Sequence, residues 1–76
     1  MMIVATTRAG DKHGRGMCSR WLTEVSTGTF VGNIHPAGVE LLKEQLARSV
    51  DVNIFCQRGK AVVRWSSTDQ TESIIY

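Results

Sequence analysis

The sequence predicts an α/β (α+β) sandwich in which one sheet carries two helices on one face. Three observations lead to this fold class. The chain has 76 residues, the length of one domain. Its apolar residues change between strand-like and helix-like spacing along the chain, and no repeat or low-complexity linker interrupts that alternation. A domain this small buries a limited core, and its two cysteines lack the pattern of a disulfide framework, so we expect a partner subunit.

The N-terminal half is predicted to contain a strand, a loop, a helix and a second strand. Residues 2–7 are apolar and β-branched, which is typical of a buried strand. Residues 10–16 include three glycines and are predicted to form a flexible loop. Apolar residues then recur every fourth position, which predicts a helix over residues 17–27 that ends beside a glycine. A strand is predicted over residues 29–34.

The C-terminal half is predicted to contain a helix and further strands. The helix begins at a proline and extends over residues 36–49. Its buried stripe is predicted from Val39, Leu42 and Leu46, and its solvent side from Glu40, Lys43 and Glu44. Residues 51–56 fit either a short strand or a packed connection. A strand over residues 60–65 and a turn over 66–71 precede a last apolar run, 74–76.

The positive charge of the chain is concentrated in one stretch. The net charge is +2, but four basic residues and one acidic residue lie between Arg8 and Arg20, so the remainder carries a net −1. A local excess of this kind favours a polyanion such as a phosphate backbone, although an ordinary solvated loop has the same appearance. The short apolar N-terminus lacks the length of a secretory signal or a membrane span, so we expect a cytoplasmic protein without a membrane partner.

No pattern of catalytic or metal-binding residues emerges. His13, Cys18, His35 and Cys56 are scattered without the spacing of a zinc site. Cys18 is interpreted as a small buried hydrophobe rather than a nucleophile. The glycine-rich segment fails the phosphate-loop pattern because Arg15 stands where the second glycine should be. We therefore expect no catalytic residue, no metal and no cofactor.

A set of residues in the middle of the chain matches a family motif: Trp21, Glu24, Gly28, Phe30, Val31 and Gly32. In this spacing the sequence resembles the Cas-two protein of subtype I-E CRISPR systems, which serve antiviral defence. The first strand and the Arg15-Gly16 pair before the predicted helix also match. In this comparison residues 51–57 have the appearance of an insertion.

The resemblance implies a ferredoxin-like sandwich with a mostly antiparallel sheet. It also implies a homodimer, formed through the sheets and held between two dimers of the Cas-one integrase. In such a complex the chain is a non-catalytic scaffold for spacer acquisition that contacts the backbone of the protospacer duplex, while the integrase performs transesterification.

The resemblance also assigns residues. Arg15 is expected to contact DNA phosphates, with His13 as a partly matched second position and Lys12 as a further cation of the same stretch. Arg8 replaces the acid that ends the first strand in the family. Ala37 and Val39 occupy positions where the family has basic residues, so the DNA-facing surface is expected to be less basic.

Two alternative functions remain open, the first from the same family and the second from the residues alone. One is a metal-dependent endonuclease, which would use Mg²⁺ and an acid such as Asp11 or Glu24. The other is an oligomerisation domain whose basic stretch is only solvated surface. Residues 1–76 are expected to be a single domain. Because the family continues beyond the position of Tyr76, we expect the chain to lack a C-terminal strand or tail, or to be cut from a fusion with a DnaQ-like exonuclease domain.

Overall fold

Two helices and six strands alternate in the computed structural model, which describes residues 1–76 throughout. The strands are β1 (Met2–Thr6), β2 (Thr23–Ser26), β3 (Thr29–Asn33), β4 (Asn53–Arg58), β5 (Ala61–Ser66) and β6 (Thr71–Ile74), and the helices are α1 (Lys12–Trp21) and α2 (Pro36–Leu46). All strands belong to one sheet in the order β2-β3-β1-β4-β5-β6, and every neighbouring pair is antiparallel. The predicted α+β class is confirmed, and the architecture is consistent with a ferredoxin-like sandwich.

The core lies between the helices and one face of the sheet. Alternate strand residues point to opposite faces, so directly paired residues share a face. Ala5 of β1 is paired with Phe30 of β3 and with Ile54 of β4, and all three are buried. They belong to one apolar cluster with Cys18 and Leu22, from α1 and the residue after it, and with Val39, Leu42 and Leu46 from α2. Neither helix has the length and apolar character that a membrane span requires.

Helix α2 has the predicted buried stripe but differs from the prediction on its other side. Pro36 occupies its first turn, and the preceding His35 accepts a hydrogen bond from the N–H of Ala37 through Nδ1 at 3.0 Å. The helix ends at Leu46, three residues before the predicted end. The prediction that Lys43 faces solvent is wrong. Lys43 is 8% exposed, and its ammonium group lies 2.8 Å from Glu72 and 3.1 Å from Glu40.

The largest correction concerns the first helix. The predicted flexible loop over residues 10–16 is wrong, because α1 already begins at Lys12. The Asp11 carboxylate accepts a hydrogen bond from the N–H of Gly14 at 2.8 Å, which stabilises the first turn as an N-cap. The predicted continuation of the helix to residue 27 is also wrong: α1 ends at Trp21, and residues 23–26 form β2.

The segment whose structure the sequence left open is a central strand. Residues 53–58 form β4, which pairs with β1 on one side and β5 on the other. Ile54 and Cys56 point into the core. The sheet would be divided without this strand, so residues 53–58 are an integral part of this fold, and the insertion of residues 51–57 relative to the family stays a prediction.

The other face of the sheet is not covered by a helix and carries an apolar patch. Val4 of β1 is paired with Val31 of β3 and with Phe55 of β4, and these three side chains are half-buried. Met2 is on the same face and is 61% exposed. We call this surface the open sheet face and define its apolar patch as Val4, Val31 and Phe55.

Candidate nucleic-acid interface

The three residues expected to contact phosphate lie at the start of α1 and differ in exposure and in the contacts that their side chains make within the chain. Lys12 is exposed and has no hydrogen-bond or ion-pair partner within the chain. His13 is half-buried, and its Nε2 is 2.9 Å from the carbonyl oxygen of Gln45 in α2. A carbonyl can only accept, so Nε2 carries the hydrogen in this contact. The structure thus brings the three residues to one helix end but leaves only Lys12 fully available.

Arg15 is held by two neighbouring segments. Its guanidinium donates to the Glu24 carboxylate at 3.1 and 3.4 Å and to the carbonyl oxygen of Ala9 at 3.2 Å. The Arg15 side chain remains 38% exposed. Arg15 therefore links α1 to β2 and to the loop before α1, and it can offer only part of its guanidinium to a ligand.

The Glu24 carboxylate binds groups of its own chain and is not placed as a catalytic acid would be. It was predicted to lie on the first helix, but it lies on β2. Its Oε2 accepts a hydrogen bond from the backbone N–H of Gly28 at 2.9 Å. That bond, together with the Arg15 guanidinium, holds the pKa of Glu24 below its ordinary value. Glu24 is therefore ionised at neutral pH and engaged with partners of its own chain.

The two motif glycines allow close backbone approach. Gly28 has a φ of +78°, and a Cβ at this position would lie 2.6 Å from the backbone oxygen of Thr7. The Thr7 N–H also donates to the Gly28 carbonyl at 2.7 Å. At Gly32 a Cβ would lie 2.7 Å from Cδ2 of Leu22. Both glycines therefore fit the β2–β3 hairpin against the rest of the fold.

The remaining motif residues also have structural roles. Phe30 is completely buried in the core. Trp21 is half-buried, and its indole Nε1 donates to Oε1 of Gln45 at 3.1 Å, which links α1 to α2. Val31 belongs to the open sheet face. The motif residues accordingly serve mainly to hold the fold together, and the cations around them are the candidates for contact with nucleic acid.

Two further arginines line one cleft beside the start of α1. Arg8 follows β1 and forms an exposed ion pair with Asp51. Arg48 follows α2, is exposed and has no ion-pair partner. Both line a cleft of about 680 Å³, which we call the Arg8–Arg48 cleft. Sequence reasoning missed Arg48 because only the packing of α1 on α2 brings it near the basic stretch of the N-terminal half.

The groups suited to nucleophilic or metal chemistry are dispersed or occupied. No three side chains among the His, Cys, Asp and Glu residues lie close enough together to hold a metal ion. Cys18 is buried, and burial together with the nearby Asp11 raises the pKa of its thiol to about 11. The thiolate needed for nucleophilic attack is therefore scarce at neutral pH. Asp11 itself is used as the N-cap of α1.

Comparison with known proteins gives one finding. A family model described as CRISPR-associated protein (Cas_Cas2CT1978) matches residues 1–74. No curated protein sequence matches the chain. The matched range includes both helices and all six strands. The chain therefore belongs to this CRISPR-associated family of Cas2-type proteins.

Proposed function

We propose that this chain is a non-catalytic, dimeric scaffold in spacer acquisition by a subtype I-E CRISPR system. In this role it acts in the cytoplasm, bridges dimers of the Cas-one integrase and contacts the backbone of protospacer DNA. Membership of a Cas2-type family supports a role in a CRISPR system. The scaffold role is supported chiefly by one observation, the open sheet face.

A second copy of this chain is the partner that the open sheet face fits best. Only 18 of 76 residues are buried, so the single layer of core is small. The apolar patch of Val4, Val31 and Phe55 lies at the centre of the sheet, on β1, β3 and β4, where it is flanked by other strands. Packing two such sheets face to face would bury both patches and add a second apolar layer.

Lys12, His13 and Arg15 are the proposed contacts with DNA phosphates. Lys12 can reach a phosphate without losing any contact of its own. Arg15 can do so with the exposed part of its guanidinium while it keeps Glu24. For His13 only Nδ1 is left, because Nε2 bonds to Gln45, and Nδ1 can donate only when the ring is an imidazolium. We therefore propose Lys12 as the principal contact of the three.

The nuclease alternative receives no support from the position of the acids. Asp11 caps α1, and Glu24 is bonded to Arg15 and Gly28. Arg8 follows β1, where a positive charge would repel a divalent cation. The scaffold we propose needs no cofactor. The alternative predicts Mg²⁺-dependent cleavage of DNA that is lost when Asp11 or Glu24 is replaced.

The open sheet face can be tested through the oligomeric state. Light scattering after size-exclusion chromatography should give a dimer for the unaltered chain. Phe55→Lys should give a monomer, and so should Val31→Thr at low concentration, a change that keeps the β-branched shape of the strand residue. Leu41→Lys is the matched control, because Leu41 is 48% exposed on α2 and away from the open sheet face.

The same proteins can be tested for association with the cognate integrase. The dimeric chain and Leu41→Lys should purify together with the integrase, and the monomeric variants should not bridge two integrase dimers. A monomeric unaltered chain would contradict the proposal. So would a Phe55→Lys variant that stays dimeric, with circular dichroism showing that it is folded. A dimer that binds neither integrase nor DNA would favour the simple oligomerisation domain.

A further inference from the structure

The Arg8–Arg48 cleft lies between the loop after β1 and the end of α2. It has a volume of about 680 Å³, within the range of pockets that take small molecules and well above the size of a single ion. The side chains that matter for its chemistry are Arg8, Asp11, His13, Arg48 and Ser49. Two arginines and a hydroxyl at one cleft are the donor types that bind phosphate.

Ser49 provides the most specific observation. The residue is only 6% exposed, and its Oγ has no hydrogen-bond partner. Its backbone N–H donates to the carbonyl oxygen of Leu46 at 2.9 Å, so the hydroxyl is the donor of this residue that is left without a partner. Buried hydroxyl groups nearly always have a partner, and one without a partner destabilises the free protein. Ser49 lines the cleft, so its unpartnered hydroxyl is the candidate donor to an acceptor bound there.

The cationic groups of the cleft are available to a ligand. Arg48 is exposed and unpaired. Arg8 is paired with Asp51, but both side chains are about half or more exposed, so an incoming anion can replace Asp51 at small cost. The first turn of α1 also opens beside the cleft, and the Asp11 carboxylate satisfies only the N–H of Gly14. The other N–H groups at this helix end favour an anion.

One group opposes an anion. Oδ2 of Asp11 is buried, has no hydrogen-bond partner and belongs to a side chain that lines the cleft. Its negative charge would repel a phosphate and weaken the binding. An asparagine would keep the capping oxygen of residue 11 and remove this charge.

We infer that the Arg8–Arg48 cleft binds the phosphate group of a nucleotide, with Arg8 and Arg48 as its cations and Ser49 Oγ as a hydrogen-bond donor. The nucleotide is either free or part of a DNA backbone. The inference rests on the proposed function only where the phosphate belongs to a DNA backbone. The site itself does not depend on it, because the site residues lie within one chain.

The experiment is a titration of the full chain followed by ¹⁵N NMR, with three probes: inorganic phosphate, deoxyadenosine monophosphate and a blunt duplex. All expected shifts centre on residues 8–13 and 48–50. Ser49→Ala and Arg48→Gln should weaken the affinity for phosphate or the mononucleotide about tenfold. Asp11→Asn should strengthen it several-fold. Arg20→Gln, at the opposite end of α1, is the matched control and should leave it unchanged.

Ser49→Ala separates a binding role from a structural one. Because the hydroxyl has no partner in the free protein, the variant should be at least as heat-stable as the unaltered chain without phosphate, and less stabilised when phosphate is added. A variant that loses stability but binds phosphate normally would overturn the inference. Equal phosphate affinity in Ser49→Ala, Arg48→Gln and Arg20→Gln would also overturn it, as would an unaltered chain that binds neither phosphate nor the mononucleotide.

The duplex distinguishes this inference from the proposed function. Binding of phosphate and mononucleotide without binding of duplex would support the cleft and contradict the DNA scaffold. Salt-dependent duplex binding that is equal in all three cleft variants, with no saturable phosphate binding, would support the scaffold and overturn the cleft. Duplex binding that weakens in Ser49→Ala and Arg48→Gln alone would identify the DNA backbone as the source of the phosphate.

Discussion

Replacing Gly28 by alanine should destabilise this fold more than the same replacement at Gly59. The two glycines have similar left-handed backbones, with φ of +78° and +60°. They differ in their surroundings. A Cβ at Gly28 would lie 2.6 Å from the backbone oxygen of Thr7, whereas a Cβ at Gly59 would meet nothing within 4 Å. The pair therefore separates the cost of the backbone conformation from the cost of the close approach.

The expected magnitudes follow from these two terms. A left-handed conformation costs an alanine about 1–2 kcal/mol, and this cost applies at both positions. At Gly28 the methyl group also has to push apart two backbone segments joined by a 2.7 Å hydrogen bond, and forced overpacking costs about 1–3 kcal/mol more. The free energy of unfolding should then fall by roughly 2–5 kcal/mol in Gly28→Ala and by roughly 1–2 kcal/mol in Gly59→Ala.

Thermal unfolding at fixed protein concentration measures both variants, since 1 kcal/mol lowers the Tm of a domain of this size by about 4–8 °C. Urea unfolding gives the free energies directly. Equal losses at the two glycines would refute the reasoning. That result would mean that the contact with Thr7 relaxes freely and that the motif glycine has no packing role.

Three further predictions concern single side chains. Lys43, and to a smaller extent Arg58, holds the pKa of Glu72 below its ordinary 4.5, so the ionised carboxylate stabilises the fold above that pH. The free energy of unfolding should therefore fall as the pH drops below 4.5, and it should fall less steeply in Glu72→Gln; urea unfolding at several pH values measures both. The pKa of Cys18 is raised to about 11, which implies that the fold loses stability as the pH rises from 9 to 11. Cys18→Ala should lessen that loss, and a variant with the same pH profile as the unaltered chain would contradict this prediction. Trp21→Phe removes the indole bond to Gln45 and should cost about 0.5–1.5 kcal/mol; no loss would show the bond to be dispensable.

The elements that the sequence predicts well are those whose signals are local. β1 and β3 have β-branched, apolar sequences, and α2 begins at a proline and has a regular stripe of buried residues. In each case propensity, burial and position in the fold agree. β4 was undecided because six residues are too few to show a period, and only its pairing with β1 and β5 makes it a central strand.

The bounds of the first helix were predicted wrongly because two local sequence signals favour a different structure from the one that the folded chain adopts. Gly14 and Gly16 disfavour a helix, but the Asp11 cap fixes the first turn, and a side chain at Gly14 would collide with Asp11. The four-residue spacing that continues to Val25 suggests a longer helix, yet Val25 is 58% exposed on β2. Pairing with β3 therefore outweighs helical periodicity in this segment.

The candidate interface could be predicted only in part. The basic stretch around Lys12 is visible in the sequence, because its charges are adjacent. The engagement of Arg15 with Glu24 is not visible, since the pair depends on where α1 ends and β2 begins. The cleft is also invisible, because Arg8 and Ser49 are distant in sequence and meet only through the folded chain.

The most direct test of the scaffold proposal is salt-dependent binding of a fluorescent duplex, with and without the cognate integrase. The unaltered chain should bind more weakly as salt rises, and Lys12→Ala should lower both the affinity and the salt slope, by about one unit for each phosphate contact removed. Lys60→Ala, in the turn between β4 and β5, is the matched control and should bind as the unaltered chain does. Equal affinity and slope in all three proteins, or no duplex binding at low salt even with integrase present, would contradict the proposed contact with DNA.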